Sequence, residues 1–188
     1  MLKVKTFKLL GAKTQHSLSP LIHRLFAQQL GLEVNYELLD IDHLELSAAI
    51  TSFFNTGGTG LNITAPYKEV VFKQLDHVTL DAQIAKAVNT VWMQNDGRLC
   101  GANTDGIGLI YDFMRNDIQI TDKNIIILGA GGAVRGILPQ IIALKPKSIN
   151  VFNNNQTRAE LFLYLHAGLL RTDLRSGTIA PGICSAMP

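Results

Sequence analysis

The chain has 188 residues, 47% of them hydrophobic, enough to bury a core in one large domain or two small ones. Its 17 Lys+Arg and 15 Asp+Glu leave a net charge of +2 with no basic run able to follow a phosphate backbone, which excludes nucleic acid as the expected partner. Lys3, Lys5 and Lys8 interrupt the first segment, so no apolar signal-peptide core or membrane span exists there, and the expectation is a cytoplasmic protein with no membrane partner.

Residues 6–11 are a short, partly apolar run ending at Gly11 and read as a strand. A polar stretch follows, then a helix opening at Pro20 with Ser19 as N-cap, since proline at a first helical position lacks only a donor that would have stayed unpaired. Leu21, Leu25 and Gln28 share one face beside Phe26 and Gln29, and Gly31 suits the C-terminal end. Residues 35–42 read as a second strand, 43–54 as a helix stopped by the glycines at 57 and 58, and 60–64 as a third strand. That strand runs through Ala65 and Pro66 into a helix over 67–75. Strands alternating with helices predict a parallel or mostly parallel α/β sheet.

Residues 87–101 read as a hairpin, because the Asp96-Gly97 pair supplies positive φ in a tight turn. Residues 107–115 look helical, and 124–128 form an apolar run without alternation, as a central parallel strand does. A domain boundary is expected near Asp105, giving domains 1–105 and 106–188. From about residue 166 the tail shows neither helical nor strand periodicity and is expected to be irregular. Strands at 125–128 and around Val151 would then lack a neighbour on one side, which predicts marginal stability or association into a homodimer. Cys100 and Cys184 have no ligand-like spacing, so no metal site is expected.

Gly129, Ala130, Gly131, Gly132 and Ala133 follow the 124–128 strand and open a helix over 133–144. Tight turning and unpaired helix N–H groups converge there on an anion site suited to a dinucleotide pyrophosphate. The next strand, 148–152, ends in Asn153-Asn154-Asn155, where an NAD-specific site would carry an acid for the ribose hydroxyl. Without that carboxylate NADP is favoured over NAD, with Asn153 beside it and Arg158 as a partner for the 2′-phosphate; the alternative for Arg158 is a solvated helix residue next to Glu160.

Four segments place polar groups where strands end: Ser17 and Ser19; Asn62, Thr64 and Lys68; Asn89 and Thr90; Asn103, Thr104 and Asp105. Loops at the carboxyl ends of parallel strands gather along one edge, and this set of hydroxyls, amides, one lysine and one aspartate suits a small polyhydroxy acid. Taken singly, the serines also suit caps, Asn89 and Thr90 a strand edge, and Asp105 an N-cap. Lys68 stands in the first turn after Pro66, where the helix dipole opposes a cation, so it should release its proton more readily.

Residues 17–20 (Ser-Leu-Ser-Pro), 60–69 (Gly-Leu-Asn-Ile-Thr-Ala-Pro-Tyr-Lys-Glu), 87–90 (Ala-Val-Asn-Thr), 101–106 (Gly-Ala-Asn-Thr-Asp-Gly) and 129–135 (Gly-Ala-Gly-Gly-Ala-Val-Arg), in this order, resemble the shikimate dehydrogenase family over residues 1 to about 165. The resemblance implies a three-layer α/β substrate-binding domain followed by a Rossmann-like NADP-binding domain, here incomplete. It implies shikimate or 3-dehydroshikimate as the small-molecule substrate, with Ser17 and Ser19 on its carboxylate and Thr64, Asn89, Lys68 and Asp105 on its ring hydroxyls. Lys68 and Asp105 correspond to the family's catalytic pair. Two departures stand out: the family's Asn-Arg-Thr pattern is replaced by three asparagines, which keeps an NAD-using quinate/shikimate dehydrogenase in view, and the family's later strands and returning C-terminal helix are not recognisable. A remnant that binds substrate without turnover is the further alternative.

Overall fold

The computed structural model of the chain describes residues 4–153, Asn155, Thr157 and 173–178. The chain divides into two compact units, Met1–Asn103 and Thr104–Pro188.

In the first unit β1 (Lys5–Gly11), α1 (Ser19–Gln29) and β2 (Val34–Asp40) are followed by a 3-10 turn at His43–Glu45, α2 (Leu46–Asn55), β3 (Gly60–Ile63) and α3 (Lys68–Phe72). Then come β4 (His77–Val78), α4 (Leu80–Ala85), β5 (Thr90–Met93) and β6 (Leu99–Ala102). They make a six-stranded sheet in the order β2-β1-β3-β5-β6-β4. β1 pairs in parallel with both β2 and β3, while β5 runs antiparallel to β3 and β6, so the sheet is mostly parallel with one reversed strand.

Side chains of a strand alternate between faces. Leu10 of β1 and Ile63 of β3 therefore join Leu46, Ile50, Phe53 and Phe54 of α2 in the main core. Those four α2 positions recur at helical spacing, which is why that face is buried. Phe7 turns to the other face, where His23, Phe26 and Ala27 of α1 lie, completing three layers. Of α1 only Ala27 is fully buried, and Leu21, Leu25 and Phe26 are exposed.

The second unit contains α5 (Asp105–Arg115), β7 (Asn124–Leu128), α6 (Gly132–Ala143), β8 (Ser148–Asn153) and β9 (Asp173–Thr178). Its strands form an all-parallel sheet in the order β7-β8-β9. Ile127, Leu138, Ile141, Ile149 and Val151 make its core, with Leu109 and Phe113 of α5 packed against it.

Several expectations need correction. Residues 173–178, expected to be irregular, form β9; a parallel strand is held by the backbone ladder along β8, which demands no side-chain alternation. The rest of the tail from 166 lies outside the described residues. Val151, expected on an open strand, has neighbours on both sides, whereas β7 pairs with β8 alone among the described residues. The helix expected over 67–75 covers only Lys68–Phe72, and β4 and α4 were not legible, a two-residue strand being too short to carry a period. In the hairpin only Gly97 takes positive φ, at 85°, and Asp96 instead accepts from the Arg98 backbone at 3.1 Å.

Candidate functional site

The loop between β1 and α1 is anchored before it presents any hydroxyl. The Thr14 N–H donates to Asp40 Oδ1 at the end of β2 (2.6 Å), and the Ser17 N–H donates to the Thr14 carbonyl (2.8 Å). Ser19 is the first residue of α1 rather than its N-cap, a place taken by Leu18. Ser17 does the capping work, its Oγ accepting the Ser19 N–H at 3.2 Å. The two hydroxyls then stand 3.0 Å apart, a pair able to meet the two oxygens of one carboxylate.

Beside this loop the chain leaves β3. The Thr64 N–H donates to the Leu10 carbonyl (2.9 Å) and the Tyr67 N–H to the Thr64 carbonyl (3.0 Å). A Cβ at Gly11 would sit 2.5 Å from the Thr64 methyl and 2.8 Å from that of Thr14, so glycine there lets the ends of β1 and β3 close on each other. The Ala65–Pro66 bond is cis. The buried Tyr67 sends its hydroxyl to the Ile41 carbonyl (2.6 Å), fixing the start of α3, where Lys68 is half-buried. The Lys68 carbonyl accepts the Val88 N–H at 3.0 Å, tying the lysine to the segment that carries Asn89.

Asn89 is held from both sides: its N–H donates to Ala102 (3.0 Å), its carbonyl accepts from Ile63 (2.8 Å), and its Oδ1 accepts the Thr90 hydroxyl (2.9 Å). The first unit thus brings Ser17 to Ser19 and links Thr64, Lys68 and Asn89 through backbone bonds. Two further residues join this cluster. Tyr36 donates its hydroxyl to Asn62 Oδ1 (2.7 Å), and Asn62 Nδ2 faces the Asn89 carbonyl (3.3 Å) and Thr90 Oγ1 (3.5 Å). Asn62 lay within a noted segment; Tyr36, in the middle of a strand, gave no signal. Burial pushes the Tyr36 phenol up to about 12, against a smaller opposing pull from the neighbouring Ser19 hydroxyl.

Two hollows on this unit do not include the serine pair, though His23, Asn62 and Thr90 border the second. One of about 350 Å³ is lined by Thr6, Lys8, Glu37 and α2 residues; another of about 340 Å³ is lined mainly by apolar groups such as Phe7, Phe26, Leu61 and Val91. Neither includes Ser17, Thr64, Lys68 or Asn89, and the second, mostly apolar, is ill suited to a carboxylate.

In the second unit Asp105 is the half-buried first residue of α5. The glycine loop is built as its residues require. Gly129 has φ of 114° and donates its N–H to Phe152 at the end of β8 (2.7 Å). Ala130 is buried, Gly131 is the extended N-cap of α6, and Gly132 and Ala133 form its first turn, which contains no acidic side chain. Among the described residues nothing lies within 4 Å of where a Cβ of Gly131 would be, leaving open space before the helix N-terminus. At the end of β8 the Asn153 amide donates to the Asn155 carbonyl (3.0 Å). Arg158 and Asn154 lie outside the described residues. Among the described residues no group of three or more His, Cys, Asp or Glu could hold a metal, and no helix is long and apolar enough to cross a membrane.

A polar-edged, mostly parallel α/β unit followed by a unit with a strand–glycine loop–helix segment defines a two-unit α/β protein whose second unit carries the segment that opens Rossmann folds. The family model for the shikimate dehydrogenase substrate binding domain matches residues 9–91, a span holding Ser17, Ser19, Thr64, Lys68 and Asn89. The chain is 37% identical over 159 residues to an NADP(+) shikimate dehydrogenase of Vibrio atlanticus, and 44% identical over 154 residues to one of Ruthia magnifica. These matches take in 85% and 81% of this chain but 58% and 57% of those relatives. Among solved structures, shikimate dehydrogenase from Aquifex aeolicus superposes with a TM-score of 0.84 at 28% identity, covering 94% of this chain and 64% of that one. Shikimate 5-dehydrogenase from Thermus thermophilus, solved with NADP(H) and shikimate, gives 0.81 at 32%, covering 93% and 63%. The chain thus matches the substrate-binding domain of the shikimate dehydrogenase family over residues 9–91 and spans about three fifths of the length of the relatives it matches.

Proposed function

We propose that the chain is a shikimate dehydrogenase, reducing 3-dehydroshikimate to shikimate with NADPH on the route to chorismate and the aromatic amino acids. The observation that carries this reading is the cluster at the strand ends of the first unit, where the 3.0 Å serine pair stands beside an ordered run of amides and hydroxyls leading to Asn89. In this reading residues 1–105 bind the substrate and 106–188 contribute the nucleotide site. Ser17 and Ser19 hold the carboxylate, and Thr64 and Asn89 hold ring hydroxyls.

Gly129, Ala130, Gly131, Gly132 and Ala133 would hold the pyrophosphate of NADP, a fit supported by the open space at Gly131 and a first turn of α6 without an acidic side chain. Asn153 and Arg158 would face the 2′-phosphate; NAD remains the parallel cofactor to test. When bound, NADPH supplies a hydride to the substrate carbonyl. Lys68 then gives its proton to the developing alkoxide, and in the reverse direction takes the hydroxyl proton as base. Asp105 is the second member of the catalytic pair in this reading. A cytoplasmic location and a homodimer complete the reading; exposed Leu21, Leu25 and Phe26 on α1 supply apolar surface for a second copy.

Formation of NADPH from shikimate and NADP by the purified 188-residue chain tests the whole. Turnover supports it as written. Shikimate binding without turnover leaves the family but reduces the chain to a binding remnant, and failure to bind shikimate overturns the reading.

A further inference from the structure

We propose that Tyr36 is a positioning residue that sets which way the Asn62 and Asn89 side-chain amides face, and therefore which donor the site offers to a ring hydroxyl of its ligand. The ligand's identity rests on the proposed function; the positioning rests on the hydrogen bonds alone.

The register of the sheet brings the parts together. Phe7 pairs with Tyr36 on one side of β1, and Leu9 pairs with Asn62 on the other. Paired residues of parallel strands share a face, so Tyr36 and Asn62 meet across β1 on the side where α1 lies. A phenol has one proton to give and an amide oxygen can only accept, so the 2.7 Å bond runs from Tyr36 to Asn62 Oδ1. The other edge of Asn62 faces the Asn89 carbonyl, also an acceptor, which places the nitrogen there. Thr90 Oγ1 receives from that nitrogen and passes its own proton to Asn89 Oδ1 at 2.9 Å. Oδ1 of Asn89 is therefore the edge that faces Thr90.

The two bonds on the far edge of Asn62, at 3.3 and 3.5 Å, are long and weak, whereas the Tyr36 bond is short. The orientation of the Asn62 amide therefore depends on the phenol, and that of Asn89 depends on it through Thr90. The same ring stacks on His23, with centroids 4.1 Å apart and planes at 19°. His23 Nδ1 lies 2.9 Å from the Ser19 carbonyl, so the histidine must donate there. One side chain thus backs the serine pair through His23 and orders the amides through Asn62.

Tyr36→Phe keeps the stacked ring and removes only the hydroxyl. The test is calorimetric titration of shikimate into the 188-residue chain, with side-chain amide spectra of the isotope-labelled, ligand-free protein, for wild type, Tyr36→Phe, Thr90→Val and the double variant. The expected result is roughly tenfold weaker shikimate binding in Tyr36→Phe, shifted Asn62 and Asn89 amide signals, and a less than additive loss in the double variant. Unchanged affinity, or an unmoved Asn89 signal, overturns the proposal. If Tyr36→Phe does not fold, Thr90→Val decides: weaker binding with a moved Asn89 signal supports the chain of bonds, and neither change overturns it. A wild type that binds no shikimate overturns the proposed function instead, and the amide spectra then decide the positioning role by themselves.

Discussion

The two units carry their candidate sites in opposite ways. In the first, Ser17, Ser19, Thr64, Lys68 and Asn89 come from separate segments, tied into a sheet in which β1 is paired on both sides and which α2 and α1 cover. In the second, the loop Gly129–Ala133 is contiguous and needs little beyond β7, α6 and one bond to Phe152. β7 pairs with β8 alone among the described residues, and Ile126 and Leu128 are 67% and 46% exposed, yet the loop still has its expected shape. A helix N-terminus is a local device that tolerates an open sheet edge; a site assembled across a sheet is not.

That contrast can be broken by experiment. The largest effect is expected from Lys68→Ala, which should lower kcat by about 10²–10⁴-fold while leaving NADP affinity unaltered; an unchanged kcat in an active chain removes Lys68 from the chemistry. Next is Gly131→Asp, which puts a carboxylate into the open space before α6. Calorimetry should show NADP binding lost and shikimate binding retained, and retention of both would take the loop out of the site.

A smaller effect tests the packing of the second unit. A Cβ at Gly106 would lie 2.7 Å from the Gly136 carbonyl and against the Gln140 side chain. Gly106→Ala should therefore force α5 off α6 and cost about 1–3 kcal/mol, read as a lower unfolding midpoint. An unchanged midpoint would contradict the close α5–α6 contact.

The smallest effect concerns Tyr36. Because burial raises its proton affinity in the folded state, the folded chain holds this proton between pH 10 and about 12, where the unfolded chain has released it. The contribution is present below pH 10 and is lost as pH rises through about 12. Wild type should lose more stability over that interval than Tyr36→Phe, as followed by denaturant melts; parallel curves would contradict the cause assigned here.

Much of the architecture was legible. Gly31 and Gly97 have the positive φ that their places after a helix and in a hairpin suggested, and the apolar run at 124–128 is a parallel strand. The strand–loop–helix order marked both units as α/β. What escaped were features whose cause lies far away in the chain: β9 is a strand because β8 offers it a ladder, and Ser19 yields the capping to Ser17 because of how the anchored loop enters α1.

Sequence alone determined the local devices, because backbone preferences and helix termini act over a few neighbouring residues: the glycine loop, the turns, the alternation of strands with helices, and the polar segments at strand ends. Only the tertiary structure decided which of those polar groups meet. Tyr36 and Asn62 are 26 residues apart and join across β1 through the register of three strands, a quantity that no short stretch of chain encodes.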